Sequence, residues 1–265
     1  MMADTDVFKH STPSLYDRYM GPLLFEPYAK YVAERVGLLR PSRILETAAG
    51  TGIVTRALRD GSPEATIVAT DINPAVVRFA AEQVESERVE FQIADAQNLP
   101  FEDASFDLVV CLFGIMFFPE KIRANAEARR VLRPKGRYMV VAFDRLDLNP
   151  IPRAAGQAVA SLFAEDPRYM ERGPFSYANA AVMEEDLRAA GFGAVEVETI
   201  QLSSRVSARD AAHGIVLGSP FRAEIERLDA SALERATEAV ERALEPWDGK
   251  DAPLSAHMAT ATRQG

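Results

Sequence analysis

The chain has 265 residues, of which 48% are hydrophobic and 26% charged, and a formal net charge of −9. That length and balance suit one generous globular domain with a subsidiary cap and exclude a disordered chain. The acidic surplus argues against nucleic acid as the main partner, since phosphate binding needs clustered Lys and Arg, and it suits a cytoplasmic protein.

Residues 1–12 read as a loose leader without the apolar core of a signal peptide, and no window approaches a membrane span, so no membrane partner is expected. From Ser14 to Leu39, apolar and aromatic residues including Tyr16, Tyr19, Leu23, Leu24, Tyr28 and Val32 recur at mixed helical spacing. They predict one long helix or two short ones, broken near Gly21-Pro22. Arg43 to Leu45 predicts a short buried strand with Glu46 at its carboxyl end. The very small residues Ala48-Ala49-Gly50-Thr51-Gly52 follow, and then Ile53, Val54, Ala57 and Leu58 at helical spacing. A strand, a small-residue turn and a helix start let backbone N–H groups approach a ligand closely.

A regular alternation comes next. Ala65 to Thr70 predicts a strand, and Asp71-Ile72-Asn73-Pro74 a turn with Asn73 as N-cap and Pro74 at the first helical position. A helix over 75–84, strands over 89–93 and 106–113, a helix over 120–132 and a strand over 137–143 complete the pattern. Strands alternating with helices predict right-handed βαβ units on a mostly parallel, doubly wound α/β sheet. Beyond Phe143 the prolines of 144–181 predict a partly helical cap. A helix over 182–190 ends at Gly191, 194–202 alternates as a strand, 208–245 is helical and charged, and 255–262 reads as a closing strand. The expected organisation is an N-terminal helical lid (1–40), a cofactor-binding core (41–145), a cap insertion (146–181) and a C-terminal part (182–265) with a helical insertion at 203–252.

Four features fall on strand ends, where open parallel sheets bind ligands. They are the Ala48 to Gly52 loop, Asp71, Asp95-Ala96, and Leu112-Phe113. A carboxylate at Asp71 can accept both hydroxyls of a ribose, and one at Asp95 can accept from an exocyclic amine. Together they describe a nucleoside pocket: backbone cradle, ribose acid, base acid and apolar wall. Glu46 as a mere helix cap, and Asp71 and Asp95 as mere turn residues, are the plainer readings. The single cysteine, Cys111, excludes an internal disulfide and reads as a buried small hydrophobe.

The runs ILETAAGTG, VATDINP, IADAQNLPFEDASFDLVVCLFGIMFF and EARRVLRPKGRYMVVAFD resemble the class I S-adenosylmethionine-dependent methyltransferases. The likeness is to the small-molecule branch that includes ubiquinone/menaquinone C-methyltransferases, and it covers roughly 40–145 motif by motif. It implies a Rossmann-like seven-stranded sheet whose last strand is antiparallel, with 194–202 and 255–262 as neighbouring strands. It implies S-adenosyl-L-methionine as cofactor and no metal. Glu46 and the backbone of Ala48, Gly50 and Gly52 would hold the methionine moiety, Asp71 the ribose, and Ile72 the adenine face. Asp95 and the Ala96 backbone would meet the adenine amine, and the Leu112 backbone the amino group. Ala48 departs from the resemblance, which places glycine there.

The implied activity moves a methyl group to O or C of a small apolar or aromatic metabolite. Tyr16, Tyr19 and Phe117, with Phe113, Phe118 and the 146–180 segment, are the candidates for roofing its pocket. His213 is the candidate general base, ahead of His10, His257 and Asp144. Two alternatives stand beside this. A nicotinamide-dependent dehydrogenase also needs glycines after the first strand, but Ala48 leads the loop and Thr55 occupies the third-glycine position. A non-catalytic S-adenosylmethionine-binding protein of the same fold is the other.

Overall fold

The computed structural model describes residues 13–164 and 166–265, so the expected leader and His10 lie outside the described residues. Strands β1 (Arg43–Thr47), β2 (Thr66–Asp71), β3 (Val89–Ile93), β4 (Phe106–Leu112), β5 (Leu132–Phe143), β6 (Ala194–Arg205) and β7 (Asp251–Thr262) form one sheet in the order β3-β2-β1-β4-β5-β7-β6. Strands β1 to β5 pair in parallel, and β7 runs antiparallel to both β5 and β6. The sheet is therefore the mostly parallel seven-stranded one, with an antiparallel last strand, that the alternation and the resemblance imply. Central strands are buried on both faces, which explains their unbroken apolar runs: Ile44, Leu45 and Leu108 to Cys111 are all at most 1% exposed.

The α-helices in chain order are α1 (Pro13–Leu15), α2 (Glu26–Leu39), α3 (Ile53–Gly61), α4 (Pro74–Gln83), α5 (Lys121–Val131), α6 (Pro150–Ala160), α7 (Tyr169–Arg172), α8 (Ala180–Ala189), α9 (Ala208–His213), α10 (Phe221–Leu228) and α11 (Leu233–Leu244). Asn73 caps α4 as expected, its Oδ1 accepting from the Ala75 N–H at 2.9 Å with Pro74 at the first helical position. Among the described residues no helix is long and apolar enough to cross a membrane.

Two elements differ from the sequence reading. No break occurs at Gly21-Pro22. Tyr16–Phe25 is π-helical with Pro22 inside it, and the Glu26 N–H donates to the Gly21 carbonyl five residues back. That wider register carries the proline without ending the helix. Strands β6 and β7 also run beyond 194–202 and 255–262, paired from Ala194–Thr262 to Arg205–Asp251. Alternation fades at Ser203-Ser204, but an Arg205–Asp251 pair, with contacts of 2.9 and 2.7 Å, closes the far end of the ladder.

From β1 the chain winds outward through β2 to β3, then returns to β4 and β5 on the other side. The strand order reverses between β1 and β4, so the carboxyl ends of these two strands border the crevice where such sheets bind ligands.

Candidate active site

Around the end of β1 the main chain curls tightly: Ala48, Gly50 and Gly52 take φ values of 54°, 56° and 83°. Glycine adopts that conformation freely, whereas alanine is strained in it. The loop is tied to β2 through Asp71, whose Oδ2 accepts the Gly50 N–H at 3.0 Å while Oδ1 accepts the Asn73 N–H at 2.9 Å. Burial pushes the Asp71 carboxyl up from its usual range, and backbone N–H bonds from Asn73, Gly50 and Ile72 pull it back. Each carboxylate oxygen retains capacity for a further donor.

A cavity of about 380 Å³ opens at these strand ends, within the roughly 300–1,000 Å³ range of small-molecule sites. Ala48, Gly50, Asp71, Ile72, Asp95, Ala96 and Leu112 all line it. Ile72 is 46% exposed, an apolar side chain at the rim with one face free. Asp95 is held by Gln97, whose N–H donates to Oδ1 at 2.8 Å and whose Nε2 reaches the same oxygen at 3.2 Å. Gln97 in turn accepts the Glu120 N–H at 2.8 Å, which anchors the loop after β3.

The other half of the cavity is aromatic. Phe113 follows β4 with φ 56°, a strained setting for a bulky residue, and its ring stacks on Phe143 at 4.3 Å. Phe143 stacks on Phe175 at 4.9 Å, and Phe25 meets Phe113 at 5.4 Å. Tyr16, Phe117, Phe118 and Tyr169 extend this wall.

Several sequence candidates are placed elsewhere. Glu46 is 2% exposed beneath the loop, not on the cavity wall, and its Oε2 accepts the Thr55 hydroxyl at 2.6 Å. Burial pushes its carboxyl up to about 8, against the Thr55 hydrogen bond. Gly52 shapes the bend from behind: a β-carbon there would touch Ala80 and Val84 at 3.4 Å. Tyr19 and His213 pack on each other, with ring centroids 6.1 Å apart, and neither lines the cavity. His213 Nδ1 lies 2.8 Å from the Arg209 carbonyl of its own helix, so the general-base role expected of it has no geometric support. Asp144 and His257 form a buried knot between β5 and β7: His257 Nε2 is 3.0 Å from Asp144 Oδ1, and Ser255 donates to Oδ2 at 2.8 Å.

Gln97 is a wall residue outside the sequence candidates, and the Thr51 side chain, Tyr169 and Phe175 are wall groups that the expected loop and the 146–180 roof contained without singling out. Thr51 lies within the ILETAAGTG run, whose small residues mark the backbone and not a side-chain hydroxyl. Tyr169 and Phe175 carry no local signal, because the cap reaches the site only through tertiary packing.

These residues fit the cofactor that the resemblance implies. A β-carbon built on Gly50 meets nothing within 4 Å, so open space faces the cradle. The Thr51 hydroxyl is buried without a partner among the described residues, a donor waiting for an acceptor. Residues 45–140 match the methyltransferase-domain family. Over that stretch the chain is similar to methyltransferase domains. The chain is 39% identical over 125 residues to a ubiquinone/menaquinone biosynthesis C-methyltransferase of Methylobacterium nodulans, covering 46% of this chain and 50% of the relative. It is 35% identical over 114 residues to a demethylmenaquinone methyltransferase of Thermotoga maritima, covering 43% and 49%. The matches thus span about half the length of these curated relatives. Among solved structures, the phosphoethanolamine N-methyltransferase 2 of Haemonchus contortus, in complex with S-adenosyl-L-methionine, superposes with a TM-score of 0.62 at 17% identity. The superposition covers 96% of this chain and 57% of that one, so the two share a fold.

Proposed function

We propose that the protein is an S-adenosylmethionine-dependent methyltransferase acting at O or C of a small apolar or aromatic metabolite. The observation that carries this is the two-sided cavity: a polar rim built from four strand ends faces an aromatic wall. In this reading Asp71 holds the ribose hydroxyls and Ile72 covers the adenine. Asp95 and the Ala96 N–H meet the adenine edge. The Ala48 to Gly52 backbone, Thr51 and the Leu112 backbone hold the methionine part, with Glu46 supporting the loop from beneath.

When bound, the cofactor supplies a methyl group already activated on a positively charged sulfur. The chain's own task is then alignment and exclusion of water. Phe113, Phe143 and Phe175 form a dry stacked surface against which a ring can be held. The Asp71 and Asp95 carboxylates are the charged side chains on the described part of the wall, and they favour a cation beside them. The curated relatives are named for methylation in quinone biosynthesis, which supports a ring-bearing acceptor here.

The test is transfer of labelled methyl from S-adenosylmethionine into an extract of small metabolites. Label appearing in an extractable small molecule is expected. Saturable cofactor binding with no transfer to any fraction would support the non-catalytic alternative.

A further inference from the structure

Two segments from different parts of the chain meet at one side of the cavity. The Phe117–Pro119 corner after β4 and the cap residues Pro174 and Phe175 all line the wall, and Gly173 packs over Phe117, where a β-carbon would lie 3.8 Å from the ring. Lys121, the first residue of α5, stands between corner and cap. Its Nζ donates to the Phe118 carbonyl at 2.9 Å and lies 5.4 Å from the centre of the Tyr177 ring. Tyr177 is buried, and its hydroxyl donates to Asp186 Oδ2 of α8 at 2.6 Å, which holds that ring in place. The Phe118 ring reaches the other way: a β-carbon built on Gly114 would lie 3.6 Å from its Cζ and 2.4 Å from the β-carbon of Ala48. Phe118 therefore stands where the small-residue cradle meets the aromatic wall.

By local rules this lysine is badly placed. It is half-buried, and burial holds its ammonium below the usual lysine range, with Asp186 pulling it back. A cation in the first turn also opposes the helix dipole. Both costs are offset by what the ammonium holds, a carbonyl oxygen on one side and an aromatic face on the other. An apolar side chain of the same length would fill the space and hold neither.

We propose that Lys121 is a positioning residue for methyl transfer: its ammonium straps the Phe117–Pro119 corner to the cap across Tyr177, and so fixes the Phe118 ring at the junction of the two halves of the cavity. The proposal rests on the methyltransferase reading and adds to it a residue that is not itself on the cavity wall. Transfer depends on alignment, and a displacement of about 1 Å set off far from the chemistry can cost on the order of a hundredfold in rate. Asp71 and the cradle are held by their own hydrogen bonds, so cofactor affinity survives the loss of the strap.

The experiment measures three quantities on the full chain as wild type, Lys121→Met and Lys121→Arg. They are the rate of labelled methyl transfer from saturating S-adenosylmethionine into a small-metabolite extract, the Kd of adenosylhomocysteine, and the Kd of the neutral fluorophore N-phenylnaphthylamine in the presence of adenosylhomocysteine. Lys121→Met should slow transfer by about tenfold or more and shift the fluorophore Kd by about threefold or more. Its adenosylhomocysteine Kd should stay within about twofold of wild type. Lys121→Arg keeps the charge and can reach both partners, so its transfer rate should return to within about threefold of wild type. Transfer by Lys121→Met at the wild-type rate overturns the proposal. So does a parallel fall in adenosylhomocysteine affinity, or an arginine variant as slow as the methionine one. Should wild type transfer no label at all, the methyltransferase reading fails, and the fluorophore decides the strap alone: an unchanged Kd in Lys121→Met, or no binding to wild type, overturns it.

Discussion

The β-carbon of Ala48 fills the space that a side chain on Gly114 would occupy: a β-carbon built on Gly114 would lie 2.4 Å from it. The same added atom would stand 3.2 Å from Cys111 Sγ. The alanine at the head of the loop, which departs from the family pattern, is therefore accommodated by a glycine just past the end of β4. Its methyl packs against Gly114.

Gly114→Ala should thus be severely disruptive. Overpacking of this kind destabilises by about 1–3 kcal/mol, and both residues line the cavity, so adenosylhomocysteine affinity should fall as well. Combining it with Ala48→Gly should restore part of both. Calorimetric titration and thermal melts of the three variants check this, and a double variant no better than Gly114→Ala would contradict the coupling.

Asp71 has two duties, holding the Gly50 loop and facing the cavity. Asp71→Asn should weaken adenosylhomocysteine binding at least about tenfold, as charge-assisted hydrogen bonds contribute about 1.5–3 kcal/mol each. Asp71→Ala should do more, and should also loosen the loop, seen as faster amide exchange at Gly50. Unchanged affinity in both variants would remove Asp71 from the site.

Glu46 gives stability a pH dependence of uncommon sign for a carboxylate. Its folded value, about 8, stands above the usual glutamate range, so the native state binds an extra proton between the two. Its contribution is fully present below the unfolded value and is lost as pH rises through about 8. Glu46→Gln keeps an acceptor for Thr55 without the titration. The variant should match wild type near pH 5 and exceed it near pH 9, by an amount on the order of a few kcal/mol. Melts across that range that stay parallel would refute the buried, protonated Glu46.

Much of this site was legible in the sequence, because its polar half sits on strand ends. Asp71, Ile72, Asp95 and Leu112 each follow a β-branched or apolar run, so local pattern places them at one rim. Asn73 and Pro74 likewise announce their helix. The aromatic half was not legible in the same way. Tyr169 and Phe175 reach the wall through packing of the cap, and no periodicity in 144–181 marks them. His213 misled because a lone histidine in a helical segment looks the same whether it faces a cavity or its own helix backbone. The proline at position 22 misled because a π-helical register is invisible to a 3.6-residue template.

Arg56 links the N-terminal segment to the loop, donating to Asp17 Oδ1 at 2.8 Å and to the Thr51 carbonyl at 3.2 Å. With both side chains of the ion pair about a quarter exposed, the interaction is worth about 1 kcal/mol or less. Arg56→Ala should leave the global melt nearly unchanged while raising amide exchange across Tyr16–Phe25. Exchange there identical to wild type would show that the segment is held without this contact.

The proposed function requires that four strand ends converge on one nucleoside. A crystal structure with adenosylhomocysteine tests it most directly. It should show ribose hydroxyls on Asp71, adenine between Ile72 and Asp95, and the sulfur turned toward the Phe113 and Phe143 rings. Ligand bound anywhere else, or density for none at saturating concentration, would contradict it.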